Sequence, residues 1–254
     1  MKEITSNLIV KDTIFDEWRE YKNCTFYNFI SENSNICHPT FIQCKFEKSI
    51  FKNSDLSNSG FFDGCNLEDC TFEKCDLRNI GIGNDGVVFK NCTFKKSDMR
   101  GMSMTNAKFI DCDFIGSNIM GYSLNVSNIV GCNFSGVLRE IKFSGRENGR
   151  EKLIACFYDC KFDFVEFYSC DLSECQPPKL KNHIYVTNLK EKIKNARLKM
   201  NLIADISSGM QKILFRRMHS LASMDQYIFN VKNIQEIEGS EFTSIFFKLL
   251  DVNT

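Results

Sequence analysis

The sequence predicts a mainly β solenoid, a narrow four-sided coil followed by an α-helical C-terminal region. Three observations carry this reading. Cys92, Cys112 and Cys132 lie 20 residues apart, and Phe94, Phe114 and Phe134 follow them two places later. Inside each block a period of five is visible, because Phe89, Phe94, Met99, Met104, Phe109, Phe114, Ile119, Leu124, Ile129 and Phe134 are all apolar. The residues two places before these centres are mostly small, as at Val87, Cys92, Ser97, Ala107, Cys112, Ser117, Ser127 and Cys132. A strand alternates every two residues and a helix repeats near 3.6, so a period of five marks an internal repeat. One large and one small inward residue per five implies a narrow tube. The recurrence of Cys-x-Phe every 20 residues implies four pentads per turn and coils stacked at the β-spacing of about 4.8 Å.

Each element follows in order. Residues 1–23 are expected to form an N-terminal cap over the open sheet edge, since such edges need cover. Asp12 is placed to cap a short helix there, with Phe15, Trp18 and Tyr21 on its buried face. The repeat occupies residues 24–175. Its first centres are Phe26, Ile36, Phe41, Phe46, Phe51, Leu56 and Phe61, with an imperfect pentad near Ser31. The register slips by one at Phe62-Asp63-Gly64 and resumes at Leu67, Phe72, Leu77 and Ile82. A loop is expected near 81–88, where Gly81–Gly86 spells the G-x-G-x-x-G pattern. A dinucleotide site would need a helix opening there, and Val87-Val88-Phe89 resumes the repeat instead. A second, charged loop is expected at 137–154, carrying Arg139, Arg146 and Arg150, before the final centres Phe157, Phe162, Phe167 and Leu172. Loops on rigid scaffolds often carry function, and a tolerated insertion is the equal alternative.

Beyond Gln176-Pro177-Pro178 the period becomes helical over residues 176–254. Leu189, Ile193, Ala196, Met200 and Ile203 describe one helix, and Ser207-Ser208-Gly209 breaks it. A second is expected through Gln211–Leu221. A third is expected after a Ser223/Gln226 capping box and ended by Gly239, and a fourth spans Glu241–Leu250.

Composition bounds the function. The 254 residues carry 32 Lys/Arg and 32 Asp/Glu, so bulk charge recruits no partner. Residues 24–174 hold 16 basic and 20 acidic residues, whereas 175–254 hold 12 and 7, giving a mildly acidic body and a basic tail. The thirteen Cys are odd in number, and MKEITSNLIVKDT has no long apolar core, so a reducing cytoplasm and free thiols are expected. No apolar run is long enough to span a membrane. The regular spacing of Cys65, Cys70 and Cys75 differs from zinc-site pairs, and packing explains it better. Neither His38, His183 nor His219 has a partner pattern for a nucleophile and base, so no catalytic residue, metal or cofactor is expected. Asp63, Glu68, Asp69, Glu73 and Asp76 form the densest acidic stretch, a candidate docking face or an ordinary solvated one.

The units SDLSN, CNLED, CDLRN, SDMRG, SNIMG and CDLSE resemble the A-(D/N)-L-x-x unit of the pentapeptide-repeat family, with Phe replacing Leu in CTFEK, CTFKK, CDFIG and CNFSG. The resemblance covers about residues 24–174. It implies a right-handed quadrilateral β-helix and a non-enzymatic protein-interaction role. Quinolone-resistance members of that family resemble B-form DNA, bind type II topoisomerases such as DNA gyrase, and dimerise through C-terminal helices. The resemblance therefore implies a topoisomerase as protein partner. The basic tail carries no motif or aromatic interleaving for nucleic acid, so no direct binding of it is expected. The body is only weakly acidic and the tail is several times longer than one dimer helix. A scaffold or regulator for a different protein, with the helical tail as a second module, is the alternative. Phe242, Ile245, Phe246 and Leu249 form an apolar stripe that is expected to join a homodimer, the alternative being a monomer whose tail folds as its own small bundle.

Overall fold

The computed structural model describes residues 4–14, 19–83, 86–104, 107–146, 151–200 and 206–253. Most of the chain forms a β-solenoid of about 8 turns. Its strands are short because each pentad supplies only one inward centre and its two flanks. Thr40–Ile42, Lys45–Glu47 and Ile50–Lys52 form three sides of one coil, and a bridge at Asp55 forms the fourth. Gly60–Phe62, Asn66–Glu68, Thr71–Glu73 and Asp76 repeat these sides one coil later, in parallel register. Corners need a left-handed residue, and the chain places mostly Asn, Asp or Lys there. Asn7, Asn28, Lys48, Asp69, Asn91 and Asp111 all stand near φ +50° at one corner. Asn and Asp tolerate that region best among non-glycine residues. Glycine takes the corner over at Gly131, where a Cβ would lie 2.2 Å from an Asp111 carboxylate oxygen.

The interior is built of columns. Phe51, Phe72, Phe94, Phe114, Phe134 and Phe157 stack with ring centroids 4.8, 5.0, 5.1, 4.7 and 5.3 Å apart. Phe41 and Phe61 stack at 5.2 Å on a second side. Cys92, Cys112 and Cys132 are buried beside the Phe column, and their thiols donate to the carbonyls of Leu67, Phe89 and Phe109. The small site therefore favours a side chain that also satisfies an inward backbone oxygen, and Ser97 and Ser117 do the same toward Phe72 and Phe94. All thirteen Cys are free. Burial pushes Cys75 and Cys160 up to about 12, so they stay protonated and act as packing.

Several expectations change. The imperfect pentad near Ser31 is an exchange of sizes, with Ser31 at the centre position and Phe29 at the small one, both buried. The N-terminal segment is coil rather than cap. Ile4–Ser6 pairs with Thr25–Tyr27, Ile9–Lys11 pairs with Ile30–Glu32, and Glu20–Lys22 pairs with Thr40–Ile42. Asp12 is a left-handed corner and Tyr21 an inward centre stacked on Phe41; Phe15 and Trp18 lie outside the described residues. Around 81–88, Gly81–Ile82 and Val87–Lys90 are strands and no helix follows the glycines. The 137–154 break is shorter than expected. Val137–Arg139 lies within the strand Ile129–Arg139, and Lys142–Ser144 is held between Ser123–Asn125 and Glu166–Tyr168. Leu138, Ile141, Phe143 and Leu153 are buried. The pentad register slips by one after Phe134, which hides these centres from a strict period. The ladder also continues past Cys175, since Gln176 and Lys179 still bond to the preceding coil.

The C-terminal region closes the last coil. His183–Val186 pairs antiparallel with Tyr227–Asn230, and among the described residues the unit holds the helices α1 (Leu189–Met200), α2 (Ser208–Leu221), α3 (Val231–Glu238) and α4 (Ser240–Leu249). The expected Ser223/Gln226 capping box does not form, because Asn230 caps α3 and residues 227–230 are strand. Gln226 instead accepts from the Leu172 N–H at 2.7 Å. His183 Nε2 accepts from the Phe162 N–H at 2.9 Å, Asn230 donates to the Phe162 carbonyl at 2.5 Å, and Asn233 accepts from the Phe164 N–H at 3.0 Å. Side chains thus replace the next coil and satisfy an edge that would otherwise be left unpaired.

That arrangement has a pH dependence. An imidazole that accepts a backbone N–H must be neutral, and burial holds His183 below its ordinary value of 6.5. A depressed histidine contributes stability that is full above 6.5 and is lost as pH falls through the folded value. Denaturant melts of the full chain should therefore weaken from about pH 8 to about pH 5. His183→Gln, which keeps an acceptor and cannot titrate, should flatten that decline; an equal decline in the variant would assign it elsewhere.

Candidate interaction surface

With the interior filled, the outward positions carry whatever the molecule recognises. The acidic stretch of the sequence does not form one negative face. Glu68 pairs with Lys90 at 2.9 Å and Glu73 with Lys95 at 3.1 Å, each across one coil. The lysine hydrogen bonds hold both carboxylates below the usual range. Asp76 is clamped by Arg78 and Asp98 by Arg100. Asp69 accepts from Asn91 at 3.2 Å, and Asp63 is a left-handed corner. On the same column as Glu73 and Lys95, the earlier residues Lys11, Glu32 and Lys52 alternate in sign at 3.5 and 3.6 Å. Of the basic candidates, Arg139 pairs with Asp163 at 2.7 Å and Arg146 with Glu151 at 3.2 Å, while Arg150 lies outside the described residues. The structure therefore disperses these residues into ladders of local pairs.

The ladder changes character in one coil. Lys90 is followed in register by Ile110, and Lys95 by Ile115. The Asp98–Asn118 bridge places Met120 after Arg100 in the same way. Three consecutive outward sites thus turn from basic to apolar. Val130 and Ile154 extend the first of these columns. Ile115 is 41 % exposed and Ile154 38 % exposed. Reading only the centres of each pentad misses this belt. The signal lies in the residue after each centre, compared between blocks 20 residues apart.

Residues 40–79 and 85–121 match the family described as Pentapeptide repeats, in 8 copies. These segments are pentapeptide repeats, and the coil has the pentapeptide-repeat fold. Solved structures with similarity to it include full-length QnrB1, a plasmid-mediated fluoroquinolone resistance protein, at 14% identity, 68% of this chain, 92% of that chain and a TM-score of 0.42. HetL, a pentapeptide repeat protein involved in heterocyst differentiation regulation from the cyanobacterium Nostoc, is similar at 10% identity over 68% of this chain and 86% of that one, with a TM-score of 0.26. No curated protein matches the sequence.

The pentapeptide-repeat solenoid leaves its helical unit with fewer free apolar residues than the sequence suggests. Phe242, Phe246 and Leu249 are buried inside the chain, and Ile245 packs partly against the same core. Phe229 meets Phe246 and Phe247 edge-on at 5.8 and 5.5 Å. The stripe expected to join two copies is covered within the same chain, by Phe229 and by the helices α1, α2 and α3. No helix among the described residues is long and apolar enough to cross a membrane.

Proposed function

We propose that this protein is a non-enzymatic interaction solenoid that docks a protein partner on the outer side of the coils from Ala107 to Ile154. The observation that carries this is the belt Ile110, Ile115 and Met120, set where the previous coil holds Lys90, Lys95 and Arg100. Apolar residues grouped on an otherwise charged surface mark contact sites. The sheet beneath them is rigid, so the belt is preorganised.

A type II topoisomerase is one partner this reading admits. DNA mimicry asks for outer faces of uncompensated negative charge, and the pairs Glu68–Lys90, Glu73–Lys95, Asp76–Arg78 and Asp98–Arg100 weigh against it. A different protein with an apolar contact patch fits the surface better. Two measurements test the reading. Affinity capture should retain a defined protein that the stably folded variant Ile110→Lys/Ile115→Lys fails to retain; equal capture by both would refute the belt as the docking site. In a supercoiling assay with purified DNA gyrase and a fluoroquinolone, the protein is expected to give no protection, and protection would restore the topoisomerase reading.

A further inference from the structure

A groove of about 920 Å³ runs along the outer side of α1, between Asn188 and Leu198, and reaches Ala222 and Asp225. Lys190, Lys194 and Arg197 line it at helical spacing, so their side chains share one face. The remaining lysines of the helix are used within the chain. Lys192 donates to the Leu250 carbonyl at 3.2 Å, and Lys199 pairs with Asp251 at 2.5 Å. Arg197 differs from both. Its guanidinium lies 5.2 Å from the centre of the Phe215 ring, and its Nε and Nη2 are buried without a hydrogen-bond partner. Arg197 as a whole is half-buried, and donors that are shielded from water without a partner are costly. Beside it, Leu198 is 62 % and Phe215 52 % exposed.

We infer that this groove is a second docking site, which takes an acidic amphipathic segment of a protein partner. A carboxylate would form a charge-assisted pair with the Arg197 guanidinium where it lines the groove, flanked by Lys190 and Lys194. The apolar side of the same segment would cover Leu198 and Ala222. A nucleic-acid backbone fits less well, because phosphates have no use for the apolar part of the groove at Leu198 and Ala222. The inference rests on the interaction reading above and adds a second surface of different chemistry.

The test uses the full chain and a fluorescently labelled helical peptide of alternating Glu and Leu faces, read by anisotropy. Saturable binding that weakens with salt is expected, and Lys190→Glu/Lys194→Glu should weaken it roughly ten-fold or more. Leu198→Asp should weaken it independently; both changes are at the surface, and unchanged melting confirms the fold. Equal affinity for the variants, or equal binding of a Lys/Leu peptide, would overturn the inference. Tighter binding of a single-stranded oligonucleotide would replace the protein segment with nucleic acid. Ile110→Lys/Ile115→Lys should leave peptide affinity unchanged, which separates failure of this groove from failure of the solenoid belt.

Discussion

Phe114→Ala is expected to lower the unfolding free energy by about 3–5 kcal/mol, the range for truncating a buried Phe. Phe114 is 1 % exposed and lies between Phe94 at 5.1 Å and Phe134 at 4.7 Å, with Phe109 edge-on at 5.4 Å. The coils above and below are fixed by main-chain bonds such as Asp113 N–H to the Cys92 carbonyl at 2.9 Å. Such walls cannot collapse into the space left by the ring, which puts the cost toward the upper part of the range. The loss should also be local, because each coil touches only its neighbours. Hydrogen exchange should show lost protection centred on residues 107–135. A variant with an unchanged denaturation midpoint would contradict the inward register.

The second large effect is expected at the C-terminal closure. Asn230 donates to the Phe162 carbonyl at 2.5 Å, accepts from Asn182 at 2.8 Å and caps α3 through the Lys232 N–H at 3.1 Å. Asn230→Ala removes a helix cap and strands a buried carbonyl, a combined loss of roughly 2–4 kcal/mol. Exchange protection should fall in His183–Val186 and at Phe162 together, while Phe51 and Phe72 in the early coils stay protected. Uniform loss along the whole solenoid would show that the closure and the coils unfold as one unit.

Which parts of this were legible in the sequence follows from how local each interaction is. The Phe and Cys columns repeat every 20 residues, so Phe94, Phe114 and Phe134 declare their stacking directly. The helices α1, α2 and α4 follow from apolar spacing alone. Leu138 and Phe143 were hidden because a one-residue slip breaks the period while the coil absorbs it. Gln226 looks like a capping residue, and its partner proves to be Leu172 N–H, 54 positions away. The stripe Phe242, Phe246 and Leu249 announces burial, but amphipathicity cannot say whether the cover is a second copy or the neighbouring helices and Phe229 of the same chain. The apolar belt lies at outward sites, where no packing rule constrains the residue type and only comparison between coils reveals the change.

The two ends of the coil are unlike. Among the described residues, Ile4–Ser6 and Ile9–Lys11 pair on one side only, whereas His183, Gln226, Asn230 and Asn233 occupy the opposite edge. A filament of stacked coils grows by fitting the finishing edge of one molecule onto the starting edge of the next. Here side chains of the same chain already occupy the Phe162, Phe164 and Leu172 groups of the finishing edge, so a second molecule arriving in line has to displace them. Head-to-tail growth is thereby opposed at its first step.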